Sequence, residues 1–285
     1  MSPITHPLTT NLTDWSHIKI GSICKNFFLP SNILQLRSAI LFSVDNSLSI
    51  IPLAGGSNML FGNTSNYALI SDQKLPSYWK RSQNKIIVSG NYNITRFIME
   101  IARMDFGGFE FLAGIPAHIA GLIKMNAGAY GKQISDFIQS VMIIDNSGDQ
   151  HLLPVDQIEF DYRHSSIEGY ITEIVLIPQN KSEKNILNDI KKIIELRKTK
   201  QPLHLPNLGS VFKNPDQYAA GYLLEKAGLK GMRVGDAAFS DLHANFMVNL
   251  GQASFNNAKN LIDLAKKRVK NSFNVELELE IEVIN

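Results

Sequence analysis

The chain has a single cysteine, Cys24, among 285 residues. No intramolecular disulfide can form, which suits a reducing cytosol. Long apolar runs are missing as well. The best candidate, Ala39 to Val44, follows Arg37 and falls far short of the roughly 18 residues that a membrane span needs. Neither sign of charge dominates: 28 Lys and Arg against 26 Asp and Glu leave a net +2, so no strong field for nucleic acid or another polyanion is implied. The seven histidines are scattered, without the spacing of a metal site. Neither G-x-G-x-x-G after a strand nor G-x-x-x-x-G-K-[ST] occurs, so neither a Rossmann site nor a P-loop is indicated, and a dinucleotide would need another fold. The opening MSPITHPLTTNLTDW has no basic n-region and no apolar h-region, so no signal peptide is expected. What is present is ordinary for a globular protein, 44% apolar and 19% charged. The length allows a real core and two or three domains.

Periodicity divides the chain into three parts: 1–72, 73–178 and 179–285. The first ends in apolar runs at Leu48–Leu53 and Tyr67–Ile70 around the turn Ala54-Gly55-Gly56-Ser57-Asn58, which predicts strand–turn–strand. In the second, Ile94, Phe97, Ile101 and Met104 have helical spacing, Val141–Ile144 and Leu152–Val155 flank a hairpin turn, and Ile171–Ile177 reads as a strand. The third opens with a helix through Ile186, Ile190, Ile193, Ile194 and Arg197, stopped at Gln201-Pro202. Further helices are predicted over Asp216–Ala227 and from an N-cap at Ser254 through Val269. Val275, Leu277, Leu279, Ile281 and Val283 predict an unbroken final strand. The order is irregular, so the fold class is α+β.

Several stretches carry candidate chemistry. In NLGSVFKNP, 207–215, a serine, a lysine and an amide stand close together before a helical pattern, which suits an anionic ligand. A helix-capping turn explains the same residues. Two glycines in Ala54–Asn58 let backbone amides approach a phosphate, or they simply make a tight turn. GIPAHIAGLIKMNAGAYG, 114–131, holds four glycines and four alanines in 18 residues, so backbone passes close to a cofactor or a neighbouring strand. Arg163 offers a planar fork for a carboxylate or phosphate, although a lone arginine is usually only surface. Glu276, Glu278, Glu280 and Glu282 alternate as on a solvated strand face, and spacing singles out none of them. The lysines and arginine between Lys184 and Lys200 read as a solvated helix face.

Taken in order, LAGGSN (53–58), FEFLAGIP (109–116), MNAGAYG (125–131), FDYRHS (160–165), GSVFKNP (209–215), AGYLLEKAGLKG (220–231), HANFMVN (243–249) and LELEIEVI (277–284) resemble one family. It is the UDP-N-acetylenolpyruvoylglucosamine reductases (MurB), flavoenzymes of peptidoglycan synthesis. Only 37 residues separate Arg163 from Gln201, which leaves no room for the extra tyrosine loop of the longer subtype and resembles the shorter one. The resemblance implies an FAD-binding fold of the vanillyl-alcohol-oxidase (PCMH) type, with subdomains at 1–72 and 73–178, and a C-terminal α+β substrate-binding domain at 179–285. FAD and NADPH are the implied cofactors. The implied reaction converts the enolpyruvyl ether of UDP-N-acetylglucosamine to UDP-N-acetylmuramate. It also implies a cytoplasmic monomer acting on a small UDP-sugar, with no nucleic acid and no membrane insertion.

By the family's motifs, Ser210 is the proton donor, while Arg163 and Glu280 meet the charge that develops on the substrate carboxylate, Glu280 in a protonated form favoured by burial. Leu53, Ala54, Gly55, Gly56, Ser57, Asn58, Gly114, Ile115, Pro116, Ala117, His118, Gly121, Asn126, Ala127, Gly128 and Ala129 are implied FAD contacts. Tyr162, Lys213, Asn214, His243 and Asn245 are implied substrate contacts. Ala117, His118 and Ala120 depart from the family's small or hydroxyl residues, and the alanines, standing where glycine is usual, are tolerable only at negative φ. Another flavin oxidase or dehydrogenase of this fold, or a non-catalytic flavin-binding relative, are the competing readings.

Overall fold

The computed structural model describes residues 6–285, so the expectation about the extreme N-terminus lies partly outside the described residues. The chain forms two compact units built from interleaved segments. One comprises residues up to Thr9, Lys25–Ala54 and Asn66–Glu195, and the other Thr10–Cys24, Gly55–Ser65 and Leu196–Asn285.

In the first unit, Ser49–Leu53 and Tyr67–Ser71 are β-branched and aliphatic strands that pair in parallel, Ile51 opposite Leu69. Phe27 and Phe28 lie on the other side of Tyr67–Ser71, again in parallel. Both strands of the expected strand–turn–strand are present, but a parallel pair needs a crossover, so more than a tight turn joins them. The segment between the two strands, Gly55–Ser65, instead belongs to the second unit. The helix Ile33–Asp45, capped by Asn32 Oδ1 on the Gln35 N–H, buries Leu36, Ala39 and Ile40 against Phe28, Ala68 and Ile70.

The rest of this unit is a five-stranded antiparallel sheet in the order Gln150–Pro154, Ile138–Ile144, Tyr170–Leu176, Lys85–Ser89, Trp79–Ser82. The predicted hairpin at 141–155 is its first pair. The helix Ile94–Ala102 turns Ile94, Phe97, Ile98 and Ile101 into this core, and ends two residues earlier than the spacing suggested. Glu100 ties three elements together. It accepts from Tyr92 Oη and Trp79 Nε1, both at 2.6 Å, and from Arg96 Nε at 2.8 Å. The Tyr92 hydroxyl, with Arg96 and Trp79 behind it, holds its pKa down at about 2. A carboxylate with a lowered pKa stabilises the fold above its ordinary value of about 4.3 and loses that contribution as pH falls towards 2. Glu100→Gln is expected to cost on the order of 1 kcal/mol at pH 7, moderated by solvent screening. In denaturant titrations that gap should close between pH 4.5 and 2; a gap independent of pH would remove the ionic explanation.

In the second unit, Asn207–Ser210, Phe246–Asn249, Ala237–Phe239 and Arg233–Val234 form an antiparallel sheet in that order. The helix Phe255–Phe273 begins where Ser254 and Asn257 form a reciprocal capping box. It buries Ala258, Leu261, Ile262, Ala265 and Val269, as the spacing predicted. Two expectations fail here. The helix predicted from Asp216 starts only at Ala220, because Asn214 Oδ1 accepts the Ala220 N–H at 2.9 Å and holds the intervening residues in a turn. The continuous last strand is also broken. Its apolar alternation survives, with Leu277 and Ile281 buried, but only Glu282–Ile284 is regular strand. Before it the backbone makes isolated bonds to the Ser210 segment, and then it switches to pair in parallel with Met59–Phe61.

Candidate functional site

The second unit brings Ser210 and Glu280 into one framework. The Glu280 N–H donates to the Val211 carbonyl at 2.9 Å, and the Lys213 N–H donates to the Glu278 carbonyl at the same distance. Val211 and Ile281, the neighbours of Ser210 and Glu280, are buried, whereas Ser210 and Glu280 themselves are half-buried. Glu276, Glu278 and Glu282 are exposed, so the structure separates Glu280 from the other three where spacing could not. The Ser210 hydroxyl makes no hydrogen bond among the described residues. Gly209, at φ +69, marks an irregularity in the strand just before it.

Asn245 was expected to touch substrate. Its Oδ1 accepts the Phe212 N–H at 3.0 Å and its Nδ2 donates to the Phe212 carbonyl at 2.8 Å, with the residue 3% exposed. Both of these bonds go to the Phe212 backbone, so Asn245 buttresses the Ser210–Lys213 segment. His243 Nδ1 accepts the Asn245 N–H at 3.3 Å, and its ring meets Phe246 edge-on. Burial lowers its pKa, which favours the neutral ring with its proton on Nε2. Lys213 Nζ stands 3.6 Å from the largely exposed Glu278 carboxylate, a weak surface pair that leaves the ammonium available.

The loop Gly55–Asn58 belongs to the same unit. Gly56 is left-handed at φ +60, and a β-carbon there would lie 1.9 Å from the Trp15 carbonyl oxygen. Its own carbonyl accepts the His17 N–H. The N–H groups of Gly55, Gly56 and Ser57 donate to nothing among the described residues. Three successive free donors on a fixed loop fit an anionic diphosphate. The Asn58 side chain does not reach outwards: Nδ2 donates to the Glu280 carbonyl at 3.0 Å, while the Asn58 carbonyl accepts the Glu282 N–H at 2.9 Å.

In the first unit, Leu53 is fully buried and Ala54 follows it out of the strand. A β-carbon on Gly121 would meet only Ala54 Cβ, at 4.0 Å, so the two residues lie close together. Gly114, at φ +81, starts the turn through Ile115 and Pro116. None of Ala117, His118 and Ala120 has positive φ, so the family departures are accommodated without strain. His118 stands at the N-cap of the short helix Ile119–Lys124, and its Nδ1 donates to Asp72 Oδ2 at 2.8 Å. Asp72 is nine-tenths buried, and its other oxygen has no partner among the described residues.

Asn126 spends its whole amide locally. Its Nδ2 donates to Gln133 Oε1 and the Asp161 carbonyl, and its Oδ1 accepts the Ser135 N–H. What this position offers a cofactor is therefore backbone. The Asp161 bond ties the Ala127-Gly128-Ala129 loop to the hairpin that carries Tyr162 and Arg163. Arg163 sits at φ +57, donates from Nη2 to the Gly128 carbonyl at 3.1 Å, and lies 5.0 Å from the centroid of the Tyr162 ring. Left-handed backbone at a non-glycine residue is costly and concentrates where function requires it.

One pair was not singled out, although Tyr222 lies within the 220–231 motif. Tyr218 and Tyr222 are about half exposed, and their rings lie 6.2 Å apart and within 13° of parallel. Only the four-residue spacing of two aromatics at a helix start could have indicated them.

Comparison with known proteins adds an independent line. Residues 201–284 match the family model for the C-terminal domain of UDP-N-acetylenolpyruvoylglucosamine reductase, and residues 25–153 match that of an FAD binding domain. The curated UDP-N-acetylenolpyruvoylglucosamine reductase of Alkaliphilus oremlandii is 35% identical over 272 residues, covering 93% of this chain and 89% of its own. The same enzyme of Clostridium tetani is 36% identical over 283 residues, covering 98% and 91%. The crystal structure of UDP-N-acetylenolpyruvylglucosamine reductase from Thermus caldophilus superposes with a TM-score of 0.83 at 28% identity, covering 99% of this chain and all of the other.

Proposed function

The chain belongs to the UDP-N-acetylenolpyruvoylglucosamine reductase family, and from that premise we propose residue roles for the reduction of the enolpyruvyl ether of UDP-N-acetylglucosamine to UDP-N-acetylmuramate. The fold is the α+β, FAD-binding arrangement of that family, and the protein is an FAD-dependent oxidoreductase of peptidoglycan synthesis. FAD, reduced by NADPH, supplies the hydride that adds to the β-carbon of the enolpyruvyl group.

The chain's own residues do the rest. The free N–H groups of Gly55, Gly56 and Ser57 would hold the cofactor's diphosphate. Hydride addition drives negative charge onto the substrate carboxylate. The Arg163 guanidinium and a protonated Glu280 take up that charge through hydrogen bonds that strengthen in the transition state. The Ser210 hydroxyl then gives its proton to the α-carbon. Lys213 steadies the resulting alkoxide and, with Asn214 and His243, the polar groups of the substrate. The same reading makes the protein a cytoplasmic monomer, in keeping with nucleotide substrates and one buried cysteine. No described helix is long and apolar enough to cross a membrane.

The observation that supports these roles is the bond from the Glu280 N–H to the Val211 carbonyl, which joins the backbone carrying Glu280 to the segment carrying Ser210. Stopped-flow absorbance tests the reading. Flavin colour should bleach with NADPH and return when the enolpyruvyl sugar nucleotide is mixed in. Reoxidation by oxygen alone, with no response to the sugar nucleotide, would favour an oxidase. Failure to take up FAD would favour a non-catalytic relative.

A further inference from the structure

We propose that Tyr218 and Tyr222 form the shelf on which the pyrimidine base of the nucleoside diphosphate substrate stacks. The proposal rests on the activity above and adds a base subsite to it. Two large aromatics, 47% and 51% exposed, stack on one another, and neither hydroxyl makes a hydrogen bond among the described residues. They are therefore not held out of the core by any polar need of their own, and each leaves about half of its surface to a flat partner.

Both are rigidly placed. The Tyr218 N–H donates to the Pro215 carbonyl at 3.2 Å, and Tyr222 stands on the helix that Asn214 caps through the Ala220 N–H. The shelf is thus built onto Lys213-Asn214, the polar end of the site. Positive charge flanks it: Lys226 Nζ lies 5.7 Å from the Tyr222 ring centroid, and Lys230, beyond the end of that helix, is paired with Glu225. An uncharged planar ring on tyrosine faces, joined to an anion beside lysines, is the chemistry of a nucleoside diphosphate. A second copy of this chain suits the patch less well, because a two-fold contact there would bring the same lysines together.

The experiment uses the holoenzyme, with UDP and inorganic diphosphate as probes. Calorimetric titration should show UDP binding weakened about tenfold to a hundredfold in Tyr218→Ala/Tyr222→Ala, with diphosphate binding unchanged. Tyr218→Phe/Tyr222→Phe should bind UDP as the wild type does, because stacking needs rings and not hydroxyls. Unaltered UDP binding in the alanine variant, an equal loss for diphosphate, or no recovery with phenylalanine would overturn the proposal. So would a wild-type dimer in sedimentation that the alanine variant abolishes. If wild-type flavin is not reoxidised by the enolpyruvyl substrate, the assigned activity fails instead, and the UDP titration still decides whether the shelf exists.

Discussion

Ser210→Ala is expected to slow reoxidation of the flavin by the enolpyruvyl substrate by about a hundredfold or more, the usual worth of a positioned proton donor. Reduction by NADPH should stay close to normal, because that half-reaction needs no proton at the substrate α-carbon. The variant should also fold. Ser210 is half-buried, its hydroxyl makes no bond within the described protein, and the segment is held by Asn245 and by the Glu280 and Lys213 backbones. Single-turnover measurements of each half-reaction separate the outcomes. Equal slowing of both would make Ser210 a structural residue.

Gly56→Ala is expected to act on the cofactor. The new methyl group would lie 1.9 Å from the Trp15 carbonyl, on backbone at φ +60. Neither a carbonyl nor a buried turn can yield as a flexible side chain would, so the loop itself must move. Left-handed alanine alone costs on the order of 1 kcal/mol. With the clash, a loss of about 2–4 kcal/mol follows, in the range of other strained backbone substitutions. The protein should purify largely without flavin and bind added FAD at least about tenfold more weakly. A yellow, stoichiometric variant with unchanged thermal stability would show that the loop tolerates the change and that its shape is not what holds the cofactor.

Local rules read well where structure is local. Ser254 marked its helix because a capping box is written in a few consecutive residues, and Ile94, Phe97 and Ile101 marked theirs by spacing. Failures came where distant chain decides. The stretch Gly55–Ser65 looks like a turn between two strands, yet it joins the second unit and lets those strands run parallel. The last strand keeps its apolar alternation, but what breaks it is a change of partner that no periodicity records. The site divides in the same way. Ser210, Arg163 and Glu280 were named through family motifs, because spacing alone gave a turn, a surface arginine and a row of equivalent glutamates. Asn126 and Asn245 carry local bonds that the motifs do not spell out. Both amides bond to backbone carbonyls or N–H groups brought near by the fold, which a sequence motif does not record.

The pairing of Glu282–Ile284 with Met59–Phe61, together with the bonds of Asn58 to Glu280 and Glu282, has a practical side. Asn285 Oδ1 also accepts the Asn63 N–H, so the final residue is itself stitched in. A purification handle fused after Asn285, or an exopeptidase nibbling from that end, would tug on the glycine turn through this seam. Such a change is expected to lower the protein's hold on flavin.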